Sequence, residues 1–344
     1  MSESRSPVRQ VAIGAEEQGQ RLDKLVGRLL PGVPRSRVFR LIRRGEVRVN
    51  GRRASPEQRL AAGDRLRLPP VLLLPGQRSD APQADAAASG TAGERAPQLP
   101  ASLLRRVEAS ILHADERLLV LDKPAGIAVH GGSGLSFGII EALRASRPDE
   151  TLELVHRLDR DTSGLLMVAR RRSALRILHA LLREGAVRKS YLTLVAGRWR
   201  VDRQHIDAPL RTDLRVGGER TVRVDARQGK AAVTEFRVLE RYGDSASLIE
   251  VVLHTGRTHQ IRVHAAHAGH PVVGDEKYGD AEANARLRAL GLRRMFLHAH
   301  SCSFTWPESG VEQSFNAPLP ADLRQVLDQL VAQRPAGRAR ARRT

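Results

Sequence analysis

Between Pro75 and Ala101 the chain carries one large apolar side chain, Leu99, among glycine, proline, alanine, serine, glutamine and acidic residues. Such a stretch cannot bury enough surface to offset the entropy of ordering it, so the chain must fold as two separate units. The length of 344 residues, above the usual size of one compact domain, agrees. Apolar patterning sets the expected boundaries: an N-terminal extension over 1–17, a small domain over 18–72, a flexible linker over 73–102, a large domain over 103–332 and a disordered basic tail over 333–344.

In the small domain, Leu22, Leu25, Val26 and Leu29 repeat at helical spacing, and Pro31 with Gly32 should end that helix. Ser36 can cap a second helix, whose Val38, Leu41 and Ile42 face inward while Arg35, Arg37, Arg40, Arg43 and Arg44 crowd the remaining surface. Gly45 closes it. Val47-Arg48-Val49 and Arg65-Leu66-Arg67-Leu68 alternate as strands, with Asn50-Gly51 as a tight turn. The large domain mixes apolar runs such as Leu165-Leu166-Met167-Val168-Ala169 with helical stretches such as Ala174 to Leu182, the pattern of a mixed α and β fold.

Lysine and arginine number 57 against 38 acidic residues, a formal charge of +19. A surplus this large repels itself unless a polyanion shares the working state, and nucleic acid is the natural candidate. A solvated charged helix is the plain alternative for the arginines, but five on one short helix allow dense phosphate contacts. An anionic membrane is disfavoured by the lack of a long apolar run or lipidation signal. Cys302 is the only cysteine, which excludes an intramolecular disulfide and a cysteine zinc cluster, and Met1 to Arg9 lack the apolar core of a secretory signal; a cytoplasmic protein is expected. His254, His259, His264, His267 and His270 invite a metal reading, but on a helix only His264 and His267 share a face, and no acidic ligand stands at a recognisable spacing. No metal and no cofactor are expected.

The densest chemistry is His156-Arg157-Leu158-Asp159-Arg160-Asp161-Thr162-Ser163-Gly164, placed just before an apolar strand. Asp161-Thr162-Ser163-Gly164 alone reads as a turn, or as the loop of an aspartic protease. The protease needs a second carboxylate loop to share its proton, and no second copy exists. Read whole, the segment resembles the His-Arg-Leu-Asp-x-x-Thr-Ser-Gly signature of the pseudouridine synthases of ribosomal RNA. Lys189-Ser190-Tyr191, Gly256-Arg257-Thr258-His259-Gln260-Ile261-Arg262, Lys123-Pro124 and Asp275-Glu276-Lys277-Tyr278-Gly279 resemble further family blocks, and Val129 to Gly138 resembles a run of its large-subunit branch. Residues 20–70 resemble the S4 RNA-binding module.

The resemblance implies an α+β fold: a catalytic domain with a mixed, largely antiparallel sheet and flanking helices, preceded by the S4-like domain. It implies isomerisation of uridine in large-subunit (23S) ribosomal RNA or a pre-ribosomal particle, at several uridines near the peptidyl-transferase region. The enzyme would be a monomer working without a guide RNA or cofactor. It assigns catalysis to Asp159, Tyr191 and Arg262, with Arg262 fixing the direction of Asp159 through a charge-assisted hydrogen bond and Tyr191 lying against the target base. Only 3% of residues are aromatic, so few rings are free to stack on a base, which adds weight to Tyr191. Arg157 would support the flipped nucleotide and Arg257 clamp backbone. Lys123-Pro124 and Asp275 to Gly279 are expected to be mainly structural. The competing class is a non-catalytic S4-type RNA-binding protein.

Overall fold

A computed structural model describes residues 8–30, 32–70, 99–131, 137–214 and 220–333. Most of the expected linker, the tail beyond 333, Pro31 and the middle of the Val129 to Gly138 run lie outside the described residues. The chain divides into two compact units, Met1–Arg95 and Ala96–Thr344.

The first unit comprises β1 (Arg9–Ala12), α1 (Leu22–Leu29), α2 (Arg35–Arg43), β2 (Arg48–Val49), β3 (Arg52–Arg53) and β4 (Arg65–Leu68), with strands in the order β1-β4-β2-β3. The apolar stripes of α1 and α2 meet the inner face of the sheet in a core of Leu22, Leu25, Val26, Val38, Ile42, Val47, Leu66 and Leu68. Part of the segment assigned from sequence to an N-terminal extension belongs to this sheet, since Arg9–Ala12 pairs with Arg65–Leu68 and Ile13 is buried. Four residues with one partly buried apolar side chain, Val11, are too short a pattern to show this. Helix α2 starts earlier than expected: Pro34 is its N-cap and Ser36 lies inside, because proline's fixed φ suits a helix entrance. Asn50 and Gly51 both take positive φ, as the tight turn between β2 and β3 requires.

The second unit begins with α3 (Ala101–Glu108), β5 (Ile111–Ala114), β6 (Leu118–Lys123), α4 (Ile139–Ser146), β7 (Glu153–Leu154), β8 (Ser163–Ala169), α5 (Arg172–Arg183) and β9 (Arg188–Ala196). It continues through β10 (Arg203–Asp207), β11 (Leu210–Leu214), β12 (Arg220–Val224), β13 (Val233–Tyr242), β14 (Ala246–Leu253) and α6 (Gln260–His267). It closes with α7 (Ala281–Ala289), β15 (Leu297–Thr305), β16 (Glu312–Asn316) and α8 (Ala321–Ala332). A ten-stranded sheet runs β10-β13-β14-β9-β15-β8-β6-β5, with β7 beside β8 and β16 beside β15. Among the described residues β8–β15 is its one parallel pairing, so the sheet is mixed and largely antiparallel.

Strand β8 is buried at every position, which is why its sequence reads as an unbroken apolar run. Gly164 near its start has φ +104°, and a Cβ there would meet the Ala299 carbonyl oxygen at 2.2 Å. The glycine that closes the motif therefore lets β15 approach β8. Helix α5 buries Ala174, Leu178 and Leu181 at helical spacing, and α8 does the same with Leu323, Val326 and Leu330. No described helix is long and apolar enough to cross a membrane.

Candidate active site

The segment Asp159 to Thr162 is a turn closed by the Thr162 amide donating to the Asp159 carbonyl at 3.2 Å, immediately before β8. Its approach is pinned by His156, whose Nε2 accepts from the Met167 amide at 3.2 Å. Burial pulls the pKa of that imidazole down to about 3, so it stays neutral and keeps the acceptor. Its exit is pinned by Lys123, fully buried, whose Nζ donates to the carbonyls of Pro124 at 2.9 Å, Ile127 at 2.8 Å and Arg160 at 3.0 Å. Burial lowers the lysine pKa to about 7 against the opposing pull of Asp161 and Asp159. Lys123-Pro124, read as structural from sequence, therefore ties a second loop to the residue after Asp159.

Arg262 comes from α6. The four-way bonding of buried Gln260 fixes the start of that helix: Oε1 accepts from the Thr255 hydroxyl at 2.8 Å and the Arg257 amide at 2.9 Å, while Nε2 donates to the Val233 carbonyl and Thr234 hydroxyl. The N-cap of the helix is His259, held at φ +53°. Gly269, at φ +80°, follows its end. With Gln260, Ile261, Val263, His264 and Ala265 all buried, Arg262 is the one position of the first six in this helix that is not buried.

Arg262 Nη1 donates to Asp159 Oδ2 at 3.0 Å. Its other edge makes a bidentate bond to Asp275, Nε to Oδ2 at 2.7 Å and Nη2 to Oδ1 at 2.8 Å. The Asp275 side chain has no exposure. Burial alone would raise its pKa, but Arg262 and the amides of Lys277 and Tyr278 outweigh that and hold it below the usual carboxylate range. Burial likewise opposes the charge of Arg262, and the two aspartates more than compensate. The guanidinium also lies 5.0 Å from the Tyr278 ring centroid, and the Tyr278 hydroxyl bonds His259 Nδ1 at 2.9 Å and accepts from the Val222 amide. His259 Nε2 completes the ring of contacts 3.9 Å from Asp159 Oδ2.

These groups line an open cleft of about 1120 Å³ with Arg157, Arg160, Lys277, Arg288, Arg293 and Arg294. Seven basic side chains face four carboxylates, so the cleft favours a polyanion. Arg157 is exposed and has no partner among the described residues. Tyr191 does not line this cleft. It is 7% exposed and borders a separate small cavity with His156, Lys189 and Cys302. Burial, with smaller contributions from Cys302 and Asp159, pushes its hydroxyl pKa up, so the phenol is protonated in the physiological range. Arg257 turns elsewhere: its Nε donates to the Ala231 carbonyl, and it is absent from the cleft wall.

The structure thus unites Asp159, Arg262 and Arg157, and sets Tyr191 nearby. Arg35, Arg37, Arg40, Arg43 and Arg44 are exposed on the first unit. Sequence reasoning missed His259 and Tyr278 as site residues and undervalued Asp275. The need for a second carboxylate follows from how deeply Arg262 is buried, which only the structure shows.

Residues 117–267 match the RNA pseudouridylate synthase family and residues 20–66 match the S4 domain. The chain is 48% identical over 328 residues to ribosomal large subunit pseudouridine synthase C of Pasteurella multocida, covering 95% of each protein. It is 47% identical over 329 residues to the protein of that name from Escherichia coli K12, covering 94% of this chain and 97% of that one. Among solved structures it is similar to human RNA pseudouridylate synthase domain containing 1, at 30% identity and TM-score 0.52 over 65% of this chain and 93% of the other. With relatives matched over nearly their whole length, the chain belongs to the pseudouridine synthase family.

Proposed function

We propose that the protein isomerises uridine to pseudouridine in large-subunit ribosomal RNA, at several uridines near the peptidyl-transferase region, with Asp159 as the reacting carboxylate. The observation that carries this is the Asp159–Arg262–Asp275 chain at the wall of a basic cleft. The reaction breaks the N1–C1' bond, turns the base and joins C5 to C1', with the C5 proton leaving to solvent and N1 gaining one. It needs no electron or group donor. A carboxylate can start it by adding to C1' or by taking a proton at C2'. Arg262 donates to one oxygen of Asp159, so the other is directed to the sugar. Tyr191, kept protonated by burial and set behind the cleft wall, would meet the base only after the wall rearranges around RNA, as a face or hydrogen-bond partner rather than as a phenolate base. Arg157, exposed and unpaired, takes the space or phosphate of the flipped nucleotide; Arg257, held by Ala231, contributes backbone contact at most. The relatives' names supply the substrate class.

The enzyme acts as a monomer in the cytoplasm without a guide RNA. Incubated with unmodified ribosomal RNA, it should create carbodiimide-resistant uridines in the large-subunit species and none in the small-subunit species. Unchanged large-subunit RNA would defeat the reading.

The first unit delivers the RNA. Arg48 is paired in the sheet with Arg53 on one side and Arg67 on the other, like charges side by side that an anion would relieve. Arg37 and Arg40, exposed on α2, extend the same chemistry. Replacing both by glutamine should weaken ribosomal RNA binding and lower the slope of log affinity against log salt by about 2, one for each phosphate that an arginine no longer neutralises. A slope equal to that of the unaltered protein would remove Arg37 and Arg40 from the interface.

A further inference from the structure

We infer that His205, Glu235 and His254 form a divalent transition-metal site, suited to Zn²⁺, on the sheet of the second unit and apart from the cleft. The three come from three adjacent strands or their ends. His205 on β10 stands directly opposite Glu235 on β13, and Glu235 stands opposite Val252 on β14, so His254 is its diagonal neighbour two residues on. Period-two alternation puts all three on one face of the sheet.

Their donor atoms converge. Both imidazole Nε2 atoms turn toward one carboxylate oxygen, Glu235 Oε2, at 3.4 Å from His205 and 3.8 Å from His254. All three donors lie within 4.8 Å of one another. Both distances exceed a good hydrogen bond. They approach the separation of about 3.3–3.5 Å between neighbouring ligands in a tetrahedral site with metal bonds of about 2.0–2.2 Å. The two rings lie 6.0 Å apart and within 22° of parallel, so small rotations would close the set on an ion. Two nitrogens and one carboxylate oxygen are the donor set of a zinc site with one open position.

The histidines are exposed, so the ion has a path in, while Glu235 is buried and therefore fixed. None of the three lines the cleft. The ion's effect is to join β10, the edge strand, to β13 and β14, closing a sheet edge that hydrogen bonds to one neighbour hold. The opposing group is Arg203, whose Nε bonds Glu235 Oε1 at 2.6 Å. It leaves Oε2 to the histidines, but its charge competes with the metal's for the same carboxylate. That competition gives the site a signature that a simple ion-pair cluster lacks.

Tag-free protein, stripped with chelator, is titrated with ZnCl₂ in a calorimeter at pH 7.5, and its thermal midpoint is recorded with and without Zn²⁺. One equivalent should bind and raise the midpoint. His205→Ala and His254→Ala should each weaken binding at least about tenfold, about 1.4 kcal/mol, and Arg203→Gln should tighten it. No binding by the unaltered protein overturns the site. Equal binding and an equal midpoint rise in both histidine variants also overturn it, as an adventitious ion only. Because neither readout uses RNA, failure here is separate from failure of the catalytic reading.

Discussion

Asp159→Asn should abolish pseudouridine formation on ribosomal RNA, by at least about 10³-fold, while the thermal midpoint stays within a few degrees of the unaltered protein. The substitution keeps the size of the side chain and removes the charge that the proposed reaction uses. It costs little stability because the carboxylate is partly exposed and bonded through one contact to Arg262, whose charge remains neutralised by the bidentate bond to Asp275. Arg262 is thus not left as an unpaired buried cation. Tritium release from C5-labelled uridine in the RNA measures the effect. Turnover within tenfold of the unaltered enzyme would remove Asp159 from the chemistry.

Asp275→Asn should do the reverse, lowering stability first and activity with it. Whichever way the amide turns, one of its ends presents N–H to a donor: to Arg262 Nε–H on one side, or to Arg262 Nη2–H and the Lys277 and Tyr278 amides on the other. Breaking one partner of a buried pair costs about 3–5 kcal/mol, and the side chains here are 0% and 11% exposed, so screening offers little relief. The midpoint should fall by about 10 °C, at roughly 2–4 °C per kcal/mol for a domain of this size. The pH dependence has a definite sign. A carboxylate whose native pKa is depressed contributes stability above its unfolded pKa of about 4 and loses it as acid titrates the native group. The gap between the two proteins should therefore be full at neutral pH and shrink below pH of about 4. A constant gap down to pH 3 would mean that the ion pair is not its source.

The two substitutions separate what the sequence showed from what it hid. Asp159 and Arg262 were legible because each sits in a short block that resembles a family signature, and the structure puts those blocks on a turn before a buried strand and on a largely buried helix. Asp275 belongs to an equally visible block, yet its task is a contact between a helix and the loop that follows it, which no periodicity encodes. His259 was hidden by a left-handed backbone conformation that is uncommon outside glycine and that no sequence pattern marks. The same holds in the first unit. The stripes of α1 and α2 show in the spacing, whereas β1 is defined by its pairing with β4, and the start of α2 was settled by Pro34 instead of the serine two residues on.

Strand β15 lies between β9 and β8 in the middle of the sheet, although it is nearly the last strand made. During synthesis, β8 and β9 must therefore wait with a gap between them until Leu297–Thr305 has emerged, and the surfaces that flank Gly164 stay open to solvent until then. The turn bearing Asp159 is anchored to β8, so a nascent chain that stops short of β15 holds the motif without a settled support for it. Support for the Asp159 turn is therefore completed only by one of the last segments of the chain to be made.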